Sequence, residues 1–191
     1  NGIAESNDQG KSFKKISLAP KALYRNDIDP YSTFAPFVLK LKNEWHMWYV
    51  SLIKWENEEN QSKHYYHIKY AKSKDGIKWS RTGKVCIDFL NKYEYAIARP
   101  CVLFEDDIFK MWYSFRAGKN NLTYRIGYAE SKNGIEWVRK DNEVNLTTSI
   151  DGWDSQMICY SYVFNFKNEK YMLYNGNNYG KTGFGLAILE K

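Results

Sequence analysis

The sequence predicts an all-β fold, a β-propeller of four-stranded antiparallel blades, and three observations lead there. Aromatic residues make up 17% of the 191 positions, with 16 Tyr and 7 Trp, and such side chains suit half-buried pleated surfaces. No long apolar stripe with the i, i+3, i+4 spacing of a helix occurs. Above all, the chain repeats itself. "PFVLKLKNEWHMWYVS" at 36–51 aligns without gaps with "PCVLFEDDIFKMWYSF" at 100–115 and "SYVFNFKNEKYMLYNG" at 161–176.

Each copy is an apolar strand A, a polar turn, and a strand B carrying Met47 and Tyr49, Met111 and Tyr113, or Met172 and Tyr174. A second block repeats as well. "IKYAKSKDGIKW" at 68–79 matches "IGYAESKNGIEW" at 126–137 and, with one inserted residue, "GIAESNDQGKSF" at 2–13, while "FGLAILEK" at 184–191 is its first strand again. This block is strand C, a turn and strand D. In those turns Asp8, Asp75 and Asn133 are expected to accept bonds from backbone amides, and Phe13 is expected to pack between sheets.

Joined in order, A to D is the pattern of a propeller blade in about 60 residues. Residues 1–16 supply strands C and D of one blade, 17–80 and 81–138 two whole blades, and 139–191 strands A, B and C of another. About three and a quarter blades cannot close a ring. The expectation is one partial propeller domain over 1–191, the C-terminal part of a longer protein, whose open edges promote self-association.

Composition narrows the function classes. The net charge is +6, but the Lys and Arg residues are scattered with no basic run or nucleic-acid-binding motif, so no nucleic-acid partner is expected. Cys86, Cys101 and Cys159 are odd in number and lack CxxC spacing, which argues against a disulfide framework or zinc site and fits a reducing compartment. No stretch approaches the roughly 18 apolar residues of a membrane span. "NQS" at 60–62 and "NLT" at 121–123 and 145–147 match the glycosylation pattern. His64 and His67 form an HxxH in an expected polar loop, with no carboxylate or Cys at metal spacing, so neither a metal nor another cofactor is expected. "GKTG" at 180–183 lacks the GxxxxGK[ST] order of a phosphate loop.

In an antiparallel blade the A–B and C–D turns lie at one end, and the B–C loops and D-to-A crossings at the other. The B–C stretches 52–67, 116–125 and 177–183 are expected to be long, variable loops, and variable loops on a constant scaffold carry binding residues. Counting back from the strand A positions Pro36, Pro100 and Ser161 reaches Asp29, Tyr93 with Glu94 beside it, and Asp154. Glu94, Asp154 and Asp29 are thus the candidate catalytic residues. Convergent carboxylates raise one another's pKa, so one can donate a proton while another activates water. Acids before a strand also serve simply as turn formers.

Five residues are candidates for substrate binding. Arg99 stands where the other units have Ala35 and Tyr160, a private feature suited to holding a carboxylate or an anionic group. Arg116, just after strand B, shares the same rim. In "YNGNNYGKTGFG" at 174–185, Asn175 offers an amide to sugar hydroxyls and Tyr179 a ring to a sugar face, although a Gly/Asn-rich turn reads the same way. Trp153 either lines the pocket or packs.

"ARPCVLFEDDIFKMWYSF", "IGYAESKNGIEW" and "GWDSQMICYSYVF…YMLYNG" together resemble the five-bladed propeller glycoside hydrolases and phosphorylases, the arabinanase/β-xylosidase and mannoside-phosphorylase group of families 43, 62 and 130. The resemblance implies a carbohydrate ligand at the mouth of a central channel. It also implies acids near the starts of inner strands, here Glu94, Asp154 and Asp29, that cleave a glycosidic bond, with Arg99 as an anchor. The alternative is a non-catalytic carbohydrate-binding or polysaccharide-assembly propeller, because a fold does not establish an activity.

Overall fold

The computed structural model describes residues 1–58, 61–116 and 122–190. The glycosylation matches at 60–62 and 121–123 begin on residues outside that set, and part of the 116–125 stretch also lies outside it.

Strands run antiparallel in four groups. A small hairpin pairs β1 (Ala4–Glu5) with β2 (Lys14–Lys15). The first meander is β3 (Ser32–Leu41), β4 (Glu44–Glu58), β5 (Gln61–Ser73) and β6 (Ser80–Ile87). A second repeats it with β7 (Ala96–Glu105), β8 (Ile108–Arg116), β9 (Tyr124–Ser131) and β10 (Val138–Arg139). The last group is β11 (Cys159–Phe166), β12 (Glu169–Asn175) and β13 (Phe184–Ile188). The two four-stranded meanders are joined by a single parallel bridge, Tyr66 to Ala96, which links them into one eight-stranded sheet. The fold is an all-β propeller architecture.

Aromatic packing between blades holds the architecture. Trp48, Ile68, Ile97, Val102, Met111 and Ala129 form one buried cluster shared by the first two meanders. Cys101, Trp112, Ile126, Ile158, Val163 and Tyr174 form the next, between the second and third. Burying a side chain of this size contributes about 1.5–3 kcal/mol. The indole of Trp48 also donates to the Gly134 carbonyl at 2.7 Å, tying β4 to the β9–β10 turn of the neighbouring blade. At the turn end, Glu105 accepts from Lys110 at 3.2 Å, from Asn165 at 2.6 Å and from Lys170, so one carboxylate spans two blades.

The C–D turns take the expected form. Asp75 accepts from the amides of Ile77 and Lys78 at 2.8 and 2.7 Å, and Asn133 does the same for Ile135 and Glu136. Asp8 accepts from the Ser12 amide and hydroxyl. Phe13, by contrast, does not pack between sheets. It is 68% exposed, because β1 and β2 are two residues each and Ile3, not Phe13, joins the Ala22, Leu23 and Tyr49 cluster.

The 52–67 stretch also departs from expectation. Beyond a register shift between Leu52 and Lys54, β4 and β5 keep pairing, with Trp55 opposite His64 and Asn57 opposite Ser62. His64 and His67 therefore lie in a strand, not a polar loop. His67 is buried, with its Nδ1 3.2 Å from Asp88 and its ring stacked on Phe89. Among the described residues no helix is long and apolar enough to cross a membrane.

Candidate functional site

The first strand of every meander carries the same irregularity. Between Phe34 and Phe37, between Ala98 and Cys101, and between Cys159 and Tyr162 the register shifts. Two residues there, Ala35-Pro36, Arg99-Pro100 or Tyr160-Ser161, oppose one tyrosine, namely Tyr49, Tyr113 or Tyr174. Such bulges re-aim a side chain. Proline suits the second position because it has no N–H for the bulge to strand. The first residue of each pair is left-handed, with φ of 45° at Ala35, 54° at Arg99 and 58° at Tyr160. A non-glycine residue in that region costs about 1–2 kcal/mol.

The candidate acids lie behind these bulges, each against its own blade. Asp29 is fully buried and accepts from the Tyr49 hydroxyl at 2.9 Å, the Ser51 hydroxyl at 2.7 Å, Lys69 Nζ at 3.2 Å and Arg81 Nη1 at 2.8 Å. Burial pushes its pKa up, but the Ser51 bond, the Lys69 charge and the Tyr49 bond outweigh it and hold the carboxyl below the ordinary aspartate range. Glu94 is buried with both oxygens bonded to Arg139, at 2.7 and 3.1 Å, and one also accepts from the Leu90 amide. The same guanidinium reaches Asp141 at 2.7 Å, and Asp141 accepts from the Tyr113 hydroxyl at 2.5 Å. Asp154 is buried and accepts from the Tyr174 hydroxyl at 3.2 Å. Among the described residues no ion pair involves Asp154, and no three or more His, Cys, Asp or Glu side chains gather where they could hold a metal.

A different group converges at the end of the sheets opposite the short turns. Arg99 projects into solvent between buried Ala98 and Pro100, and its guanidinium lies 5.0 Å from the Tyr160 ring centroid. Tyr160 stacks on Tyr179 at 6.0 Å, with planes 25° apart, and tilts against Tyr124 at 5.6 Å. Arg116, at the end of β8, lies 4.5 Å from the centre of the Tyr124 ring. It donates to the hydroxyls of Tyr95, at 3.3 Å, and of Tyr179. Tyr66 shares a hydrogen bond with Tyr124, extending the cluster onto β5. Burial pushes the Tyr160 hydroxyl up to about 12, so it is a neutral donor at ordinary pH.

Of the binding candidates, Arg99, Arg116 and Tyr179 come together here. Asn175 braces the group from behind, its amide donating to the Tyr179 carbonyl at 3.1 Å. Left-handed Asn178 and Tyr179, with φ of 52° and 62°, turn that loop back toward β11. Trp153 packs: its ring lies 5.5 Å from that of Tyr174, over Gly176 and Gly185, and its carbonyl accepts from Asn177 and Thr182. Sequence reasoning missed Tyr66, Tyr95 and Tyr124 as members of the cluster, and Arg81 and Arg139 as partners of the acids. The two arginines carried a signal, since "SR" at 80–81 and "VR" at 138–139 occupy matching places after the repeated turn.

No family model matches the chain. It is 36% identical over 189 residues to uncharacterized protein MT1551 of Mycobacterium tuberculosis, a match covering 99% of this chain and 60% of that protein. The chain therefore spans 60% of the length of the curated relatives it matches. Among solved structures, it superposes on a thermostable family-43 glycoside hydrolase with a TM-score of 0.71 at 17% identity, covering 100% of this chain and 63% of that one. A family 117 glycoside hydrolase from Zobellia galactanivorans gives 0.70 at 18% identity, covering 90% and 56%. The fold is that of the propeller glycoside hydrolases.

Proposed function

We propose that this chain forms the sugar-binding face of a carbohydrate-active, glycoside hydrolase-like propeller, with the cluster of Arg99, Arg116, Tyr160 and Tyr179 as its binding site. One observation carries the reading: stacked tyrosine rings, with Tyr179 half exposed, sit beside two arginines at the end of the blades opposite the short turns. Tyrosine faces take the C–H surface of a sugar ring, while guanidinium and phenol groups bond its hydroxyls. The shared fold supports a carbohydrate as the ligand class.

Cleavage is the finer reading, and it gives the three acids unequal parts. A general acid must reach the leaving oxygen with a proton to give. Asp29 and Glu94 are buried with both oxygens already occupied. Asp154, with a tyrosine hydroxyl and no cation among its described partners, is the acid left for that work.

Calorimetric titration with a panel of mono- and oligosaccharides is expected to show binding that Tyr179→Ala weakens about 3- to 10-fold, the worth of one aromatic stack. A protein that binds no carbohydrate overturns the reading. For cleavage, aryl-glycoside turnover that is lost in Asp154→Asn and kept in Glu94→Gln supports the assignment, and turnover kept in Asp154→Asn removes it.

A further inference from the structure

The arginines of this chain divide by what their charge meets. Arg81 and Arg139 are paired with buried carboxylates. Arg25 and Arg125 donate to main-chain carbonyls, of Pro30 in one case and of Tyr124 and Gln156 in the other. Arg99 and Arg116 meet neither. Among the described residues no carboxylate pairs with them, and what surrounds them is phenol: Tyr160 against Arg99, and Tyr95, Tyr124 and Tyr179 around Arg116. The Nε of Arg116 is moreover buried with no hydrogen-bond partner. A buried guanidinium donor left unpaired is costly, and a counter-charge is the usual remedy. The two cations are joined through one cluster, since Arg99 lies over the Tyr160 ring, and Tyr160 stacks on Tyr179, whose hydroxyl accepts from Arg116.

Arg99 adds an independent sign. It occupies the left-handed position of a bulge that recurs in all three meanders, where the neighbours carry Ala35 and Tyr160. The scaffold is repeated while the residue it displays is not. Such a strained, exposed position is where a specificity-determining side chain belongs.

Resting on the reading that this cluster binds a sugar, we propose that the sugar is acidic, and that its oxyanion, a carboxylate or a phosphate ester, is held between Arg99 and Arg116 while its ring lies on Tyr160 and Tyr179. Guanidinium forks suit such groups because two parallel N–H donors match two oxygens. The Tyr160 hydroxyl, being neutral, can donate to the same anion without competing with it. A neutral sugar would leave both charges unanswered.

The test compares D-glucose, D-glucuronate, glucose 6-phosphate and inorganic phosphate as titrants of the protein at low ionic strength. At least one acidic sugar is expected to bind ten-fold or more tighter than glucose, with an affinity that falls as salt rises. Arg99→Gln and Arg116→Lys each reduce that preference by about ten-fold, whereas Lys74→Ala, in the turn after β5, leaves it intact. Arg99 is exposed, so its variant is expected to fold even if changes at Arg116 disturb the core. Glucose binding as tightly as the acidic sugars overturns the proposal, and so does a preference that survives Arg99→Gln and Arg116→Lys. Inorganic phosphate binding through both arginines without any preference for an acidic sugar assigns the site to free phosphate and overturns it too. Failure of every sugar to bind instead removes the underlying carbohydrate reading.

Discussion

Two sets of charged groups in this protein behave in opposite ways. Asp29 and Glu94 are buried, fully bonded and built alike, each held by the strand D arginine of its own blade, Arg81 or Arg139. Arg99 and Arg116 sit at the loop end, stacked on phenols and without a carboxylate among the described residues. The first set repeats with the blades and the second does not. Repetition is what a scaffold needs, because every blade must solve the same packing problem. A ligand site needs the reverse, since a small molecule is asymmetric and meets each blade differently.

The largest expected effect that tests this contrast is Arg139→Met, which strips the counter-charge from buried Glu94 and from half-buried Asp141. It is expected to cost about 3–5 kcal/mol, the range for breaking a buried pair, read as a lowered urea midpoint. A loss below about 1 kcal/mol, the level of exposed pairs, would dissolve the distinction between clasp and site.

Acid should attack the same clasps. Asp29 has its folded pKa below its unfolded value, and Glu105 is held at about 2 because its bonds to Asn165, Lys170 and Lys110 outweigh its burial. The stability such carboxylates contribute is complete above their unfolded values, near pH 4, and is lost as pH falls toward the folded ones. Urea midpoints are thus expected to hold from pH 7 to about 5 and to drop steeply between roughly 4 and 2. A flat profile there would show the carboxylates to be uncoupled from folding.

Tyr49→Phe removes one donor to Asp29 and should cost about 1.5–3 kcal/mol, the worth of a bond to a charged group. Smallest of all, Arg99→Gly relieves the left-handed strain at φ 54° and is expected to raise stability by about 1 kcal/mol, read as a raised urea midpoint. A variant that is less stable than the parent would mean that Arg99 supports the fold, against its assignment to a ligand.

Much of the fold was legible because its signals are local. The three copies of strands A and B and the C–D turns with Asp75 and Asn133 are periodic patterns that survive without knowing any contact. Phe13 and the 52–67 stretch were misjudged because both depend on what lies beside a strand. The small hairpin turns Ile3 rather than Phe13 toward the neighbouring β4, and a β4–β5 hairpin can extend far past the core when pairing continues. At the site, Arg99, Arg116 and Tyr179 stood out as private residues in variable places, but Tyr66, Tyr95 and Tyr124 were lost among 16 tyrosines of similar surroundings.

By itself the sequence determined the antiparallel repeat, the strand order within each blade and the end at which private residues gather, since all three follow from period, turn chemistry and alignment. Only the tertiary structure decided which charges meet. Asp29 finds Arg81 and Glu94 finds Arg139 across three strands of a sheet, whereas Arg99, among the described residues, meets the face of Tyr160 and no carboxylate. Pairing depends on distances of a few ångströms between residues far apart in the chain, and on burial that makes an unmet charge costly, neither of which a linear pattern records.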